Sequence, residues 1–141
     1  MSLSQRSLAM ASSTLILLFL AAAAALAVLA AGESCEPGSA FPHDPLQGCR
    51  AYVMRRCAGD DPPGVRARCC QQLGEVAPPC RCDALQAMVE ILVEEEAAPP
   101  ECRKGSMAGI AATLPARHEC DLEAPPAPIG GACPLQSSEQ S

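Results

Sequence analysis

The sequence predicts an all-α fold: a small four-helix bundle stapled by five disulfides, with long loops. Three observations lead there. Ten cysteines in 141 residues is the density of a secreted disulfide framework. Apolar residues recur at helical spacing, most clearly Leu85, Met88, Val89 and Leu92. Clusters of proline and glycine cut the helical stretches into short pieces.

The first 31 residues stand apart from this domain. They carry Arg6 and then an unbroken apolar run from Leu15 to Ala31, with small residues at its end, the pattern of a secretory signal peptide. Ala25-Leu26-Ala27 is an A-x-A site, and cleavage after Ala30 or Ala31 leaves a short segment before Cys35. A run of about 17 apolar residues touches the lower limit for a membrane anchor. Alanines anchor weakly, however, and a cysteine-rich domain has to reach an oxidising compartment in any case. The organisation is therefore a signal peptide over 1–31 and one cysteine-rich domain over 32–141, in a secreted, extracellular product that meets the membrane only during export.

Losing the leader takes one Arg and no acid from a formal net charge of −6, so the mature chain is more acidic still. Nucleic acid is a poor partner for such a surface. The chain has no Asn and hence no N-glycosylation acceptor. Only Phe41 and Tyr52 supply aromatic side chains beyond the leader, so the bridges must contribute much of the stability, about 2–4 kcal/mol each.

Taking the elements in order, Gly32 to His43 is an extended, Pro/Gly-punctuated arm tied at Cys35. Asp44 offers a helix N-cap, Pro45 the first helical position and Gln47 a capping-box partner, so helix 1 is expected over about Pro45–Arg56. The cluster Gly59-Asp60-Asp61-Pro62-Pro63-Gly64 is a turn. Helix 2 is expected from Val65 to Leu73, stopping at Gly74. Pro78-Pro79 opens helix 3, Cys80 to Glu95, whose end is poorly made because Glu94-Glu95-Glu96 sits at the negative pole of the helix dipole. Helix 4 spans about Ser106–Leu114 and ends before Pro115. Beyond Cys120 an irregular tail is pinned by Cys133 and loose after it.

The hub is Cys69-Cys70, nine residues, then Cys80-Arg81-Cys82. Adjacent helical positions point about 100° apart and i, i+2 positions about 200° apart, so neither pair closes on itself. Each of the four cysteines must reach a different neighbour. Roughly 945 pairings of ten cysteines exist, and spacing does not choose among them.

The order C…C…C…CC…CxC…C…C…C resembles the cereal α-amylase/trypsin inhibitor family, as do Glu33-Ser34-Cys35-Glu36-Pro37-Gly38, Phe41-Pro42-His43-Asp44-Pro45-Leu46 with Cys49-Arg50, and Arg66-Ala67-Arg68-Cys69-Cys70-Gln71-Gln72-Leu73. That family sits in the wider prolamin superfamily with 2S albumins and plant lipid-transfer proteins, and Cys57 separates this chain from the eight-cysteine lipid-transfer pattern. The resemblance covers nearly everything after the leader. It implies the pairs Cys35–Cys80, Cys49–Cys69, Cys57–Cys102, Cys70–Cys120 and Cys82–Cys133. It also implies a seed protein of plant defence, active by binding an exogenous digestive α-amylase or serine protease, in endosperm and with self-association allowed.

Catalytic signals are poor. His43 and His118 are the only histidines, and no nucleophile or carboxylate sits in a recognisable active-site motif. The chain has no C-x-x-C, so neither a zinc knuckle nor a thioredoxin-like site is expected, and no enzyme activity, cofactor or metal is assigned. In the family's trypsin inhibitors the reactive loop after the third cysteine carries Gly-Pro-Arg-Leu. The equivalent here, Ala58 to Val65, has Pro62 where the Arg would fall. Arg66 is the protease reactive-site candidate that remains, although with Arg68 it aligns with the start of helix 2. For amylase, the family's bifunctional members insert the segment before the first cysteine, here Gly32, Glu33 and Ser34. The alternative is a lipid-binding or seed storage protein of the same superfamily, with Leu85, Met88, Val89 and Leu92 lining a tunnel; Gln71-Gln72 is too little to mark a storage composition.

Overall fold

In the computed structural model the described residues are 34–95 and 98–136, with Ile16 besides. Among them are four α-helices, α1 (Gln47–Cys57), α2 (Pro63–Glu75), α3 (Arg81–Glu94) and α4 (Lys104–Thr113), and no strands. The rest of the predicted leader, together with Gly32 and Glu33 of the arm, lies outside the described residues.

Helix α1 begins two residues later than expected. Leu46 adopts left-handed backbone (φ 58°, ψ 46°), and no side chain caps the helix from that position. Pro45 and Leu46 are both buried, and burying them turns the chain before the helix can start. Asp44 therefore does not cap: its carboxylate accepts from Gln47 Nε2 at 3.3 Å and pairs with the Arg50 guanidinium at 2.8 Å. The first-turn amide of Gly48 is served by another helix, donating to Gln72 Oε1 of α2 at 2.7 Å. A Cβ at Gly48 would stand 2.9 Å from that oxygen, so this close approach needs glycine.

Helix α2 starts at Pro63, a residue suited to a first helical position, and runs through Gly74 to Glu75. Glycine inside a helix costs only about 1 kcal/mol. Burial of Leu73 and Val76 on either side outweighs it. The diproline gives a 3-10 turn, Pro78–Cys80, before α3 proper begins at Arg81. Leu85, Met88, Val89 and Leu92 are all within 3% of complete burial, which makes the stripe core. At the other end, Arg50 bridges from α1 to Glu95 as well as to Asp44, so one of the acids crowding the helix terminus has a cation. Glu96 lies outside the described residues.

Helix α4 begins two residues before the expected start, at Lys104, and buries Met107, Ala108 and Ala111. After it the chain forms turns held by backbone bonds, including Cys120 N–H to Leu114 O and Leu122 N–H to Pro115 O, both 3.0 Å. The segment beyond Cys133 is not loose at once: Gln136 N–H donates to Gln86 Oε1 of α3 at 3.0 Å.

Five bridges close the domain: Cys35–Cys80, Cys49–Cys69, Cys57–Cys102, Cys70–Cys120 and Cys82–Cys133, with Cα–Cα separations of 4.2–5.5 Å. These are the pairs the resemblance implies. Cys80 reaches the arm and Cys69 reaches α1, while Cys70 and Cys82 reach two points of the chain after α4, Cys120 and Cys133.

Before α1 the arm turns tightly. Gly38 donates to Phe41 O at 2.6 Å with φ +88°, and Ala40 N–H returns to Glu36 O at 3.0 Å. The His43 ring packs over Gly38, where an added Cβ would meet its Nε2 at 2.5 Å. This exposed ring can swing aside, so backbone strain decides the cost of a substitution. Gly38→Ala is expected to lower unfolding free energy by about 1–2 kcal/mol, read as a lower denaturant midpoint at unchanged slope.

Candidate functional site

Most of the described residues of the arm face solvent. Phe41 is buried and anchors its base, while Ser34, Glu36, Pro37, Gly38 and Ser39 are exposed. The Cys35–Cys80 bridge, with its Cα atoms 5.2 Å apart, fixes the arm beside the corner that precedes α3. Ala77, Pro78 and Pro79 are exposed at that corner. Cys35 Sγ lies 3.6 Å from the Pro79 carbonyl oxygen. Of the three amylase candidates only Ser34 is described; Gly32 and Glu33 precede it in sequence.

The α1–α2 loop is built in the opposite sense. Asp60 N–H donates to Arg55 O at 2.9 Å, and the Arg56 guanidinium stands 3.7 Å from Asp61. Asp61 Oδ1 also lies 3.3 Å from the Tyr52 hydroxyl, which is 3.0 Å from Glu119 Oε2. A phenol has one proton to donate. Glu119, the nearer acceptor, takes it, and Asp61 has Arg56 instead. The loop is thereby tied to the end of α1 by the Asp60 backbone and the Asp61 carboxylate. Arg66 follows in the first turn of α2, half-buried, with its amide donating to Pro62 O at 3.1 Å. Its backbone is helical, unlike the extended form a protease binds.

Burial, reinforced by the Glu119 hydrogen bond and the charges of Glu119 and Asp61, pushes the Tyr52 hydroxyl up to about 12 against the opposing pull of Arg56. The unfolded value is about 10, so the folded state holds this proton more tightly. The stabilisation is complete below pH 10 and is lost as pH rises through about 12. Tyr52 is the only tyrosine and the chain has no Trp, so near-ultraviolet absorbance titrates this group alone. A midpoint near 12, with loss of helical signal in the same range, is expected; ionisation near 10 in a folded protein would contradict the buried bond.

Two clefts flank the α1–α2 seam. One is lined by Ala51, Val65, Arg68 and Gln72 among others, the second by the arm around Phe41 and Pro42 against Glu75 and Val76 of the α2 end. Neither is lined by Leu85, Met88, Val89 or Leu92, which close into the core. Among the described residues no group of three His, Cys, Asp or Glu side chains is placed to hold a metal.

The arm, the bridges and the hub cysteines fall inside a match to known proteins. A family model described as protease inhibitor/seed storage/LTP family covers residues 22–133. The chain belongs to this family. Within the protease inhibitor/seed storage/LTP family it is 34% identical over 122 residues to the trypsin inhibitor CMe of Hordeum vulgare, covering 74% of this chain and 82% of that one. It is 33% identical over 124 residues to an α-amylase/trypsin inhibitor of the same species, covering 80% and 84%. Among solved structures, a recombinant bifunctional Hageman factor/amylase inhibitor from maize aligns with a TM-score of 0.54 at 34% identity, covering 71% of this chain and 94% of that one. The bifunctional inhibitor RAGI aligns at 0.55 and 30%, covering 75% and 97%. These relatives are named as inhibitors.

Four residues that organise the family member's site region were not singled out by the sequence. Gln72 caps α1 from another helix. Tyr52 and Glu119 meet across 67 positions. Arg81, the residue inside Cys80-x-Cys82, is 8% exposed and donates to the carbonyls of Leu73, Gly74, Val76 and Glu123 at 2.6–3.1 Å. Its setting between two bridged cysteines was the available hint.

Proposed function

We propose that this is a secreted inhibitor of an exogenous digestive α-amylase, acting without chemistry of its own by placing the arm, Gly32, Glu33 and Ser34, in the enzyme's cleft. The leader over 1–31 is removed on export in this reading, leaving the domain over 32–141. The observation that carries it is the exposed arm, held by Cys35–Cys80 beside the exposed Ala77–Pro79 corner. A covalently held arm loses less freedom on binding than a free terminus would. The Hordeum and maize relatives named for amylase inhibition support the class of target.

Serine protease inhibition is the second reading, supported by the trypsin inhibitor relative. Against it stand the loop held to the end of α1, Pro62 at the specificity position, and the helical backbone at Arg66. Plant defence in seed tissue follows from either reading, and the rice seed allergenic protein at 37% identity agrees with the tissue.

The test is a paired inhibition assay of the oxidised mature protein on insect and mammalian α-amylases and on trypsin- and chymotrypsin-like proteases. Stoichiometric loss of amylase activity with proteases untouched is expected, and deletion of residues 32–34 should abolish it. Inhibition of proteases alone, or silence across the panel with a bound lipid in the purified protein, would overturn the amylase reading.

A further inference from the structure

The charge of this protein is unevenly placed. The hairpin Gln47–Glu75 holds five arginines, Arg50, Arg55, Arg56, Arg66 and Arg68, against Asp60, Asp61 and Glu75. From Cys35 onward the rest of the chain holds only Arg81, Arg103, Lys104 and Arg117 against twelve acids. The hairpin is a basic face on an acidic body.

Two of its arginines are already used. Arg50 is paired with Asp44 and Glu95, and Arg56 with Asp61. Arg55, Arg66 and Arg68 have no ion pair among the described residues. Arg68 lines the cleft between α1 and α2, with Ala51, Gly64 and Val65 supplying small apolar walls and Gln47 and Gln72 supplying amides. Arg55 stands one turn beyond Ala51 on the same face of α1. Val65, Arg68 and Gln72 keep i, i+3, i+7 spacing, so they present one face of α2.

We infer that this α1–α2 groove docks an acidic segment of a partner protein, its carboxylates meeting Arg55 and Arg68 and its small side chains lying on Ala51 and Val65. Charge complementarity fixes the occupant. A partner carrying carboxylates is repelled by the net-acidic remainder of the chain and attracted to this hairpin, so the groove sets orientation as well as contact. Guanidinium groups are suited to carboxylates because their forked donors match two oxygens at once. The inference is independent of the inhibitory reading above, since the arm and this groove are separate features.

The test uses the oxidised protein, isotopically labelled, titrated with a synthetic peptide alternating Glu and Ala and, separately, with its Lys and Ala counterpart. Amide shifts clustered at Ala51, Val65, Arg68 and Gln72 with the acidic peptide alone are expected, weakening as salt rises. The double variant R55E/R68E should cut affinity by about tenfold or more, and R68Q, which removes one charge but stays polar, by less. D83K on the exposed face of α3 should leave it unchanged. No shift, shifts confined to other surfaces, or equal occupation of the groove by anionic vesicles or an oligonucleotide would overturn the inference.

Discussion

Arg81→Met is expected to lower the unfolding free energy by about 3–5 kcal/mol, a loss typical of removing one partner from a buried charged network. The guanidinium makes no ion pair among the described residues. Its Nε donates to Leu73 O and Val76 O at 3.1 and 3.0 Å, and its two terminal nitrogens reach Gly74 O at 3.1 Å and Glu123 O at 2.6 Å. Three of those carbonyls belong to the last turn and exit of α2, where orphan acceptors and the negative pole of the helix coincide. One cation thus satisfies the end of α2 and ties the segment after α4 to it. Methionine fills similar volume and offers no donor, leaving several acceptors unmet at about 1–3 kcal/mol for each that water cannot reach. Arg81→Lys keeps the charge on a tip that cannot fork to both sides, and should fall between the two. Chemical denaturation of both variants with bridges intact checks this; a Met variant within 1 kcal/mol of the parent (roughly the worth of a single neutral hydrogen bond) would mean that solvent serves these carbonyls equally well.

The second large effect is reduction of the bridges, expected to abolish both cooperative unfolding and inhibition. The sequence separations are 20, 45, 45, 50 and 51. By loop-closure entropy the shortest contributes about 3.3 kcal/mol and the longest about 4.1 kcal/mol. The spread is small, so burial orders the individual bridges. Cys49 and Cys69 are completely buried at the α1–α2 seam. Replacing both with Ala adds a packing loss to the entropic one and should cost at least as much as removing Cys70–Cys120, despite the shorter loop. Against a net stability of about 5–15 kcal/mol for a domain, losing five such constraints leaves nothing to hold a core with only two described aromatic side chains, Phe41 and Tyr52. Circular dichroism of the reduced, alkylated protein during heating measures this, and a surviving sigmoidal transition would sink the expectation.

The fold was legible where local pattern and tertiary packing agree. The stripe Leu85, Met88, Val89, Leu92 is a 3.6-residue period and became the buried face of α3. Proline at the start of α2 and the diproline before α3 worked as local rules state. Legibility failed where a distant side chain replaced a local one. Asp44 is a good cap by composition, yet Arg50 and Glu95 drew it into an ion-pair chain and Gln72 took over the helix amide. Gly74 is a good stop, yet Arg81 collected carbonyls around it and the helix continued. For the candidate site, Cys35 marked the arm's anchor in advance. The tie between α1 and the segment after α4 depends on Tyr52 meeting Glu119, a contact between segments that share no sequence neighbourhood.

The Cys35–Cys80 anchor also sets a length. If the mature chain starts at Gly32, only three residues precede the anchor, and three extended residues span about 10 Å. Such a leash cannot probe the floor of a deep crevice while the body stays outside. Either the target's cleft is shallow at the point of contact, or the Ala77–Pro79 corner enters with the arm as the shoulder of a wedge. Lengthening the leash by two glycines would then leave the shoulder in place and slacken the tip, trading residence time for reach.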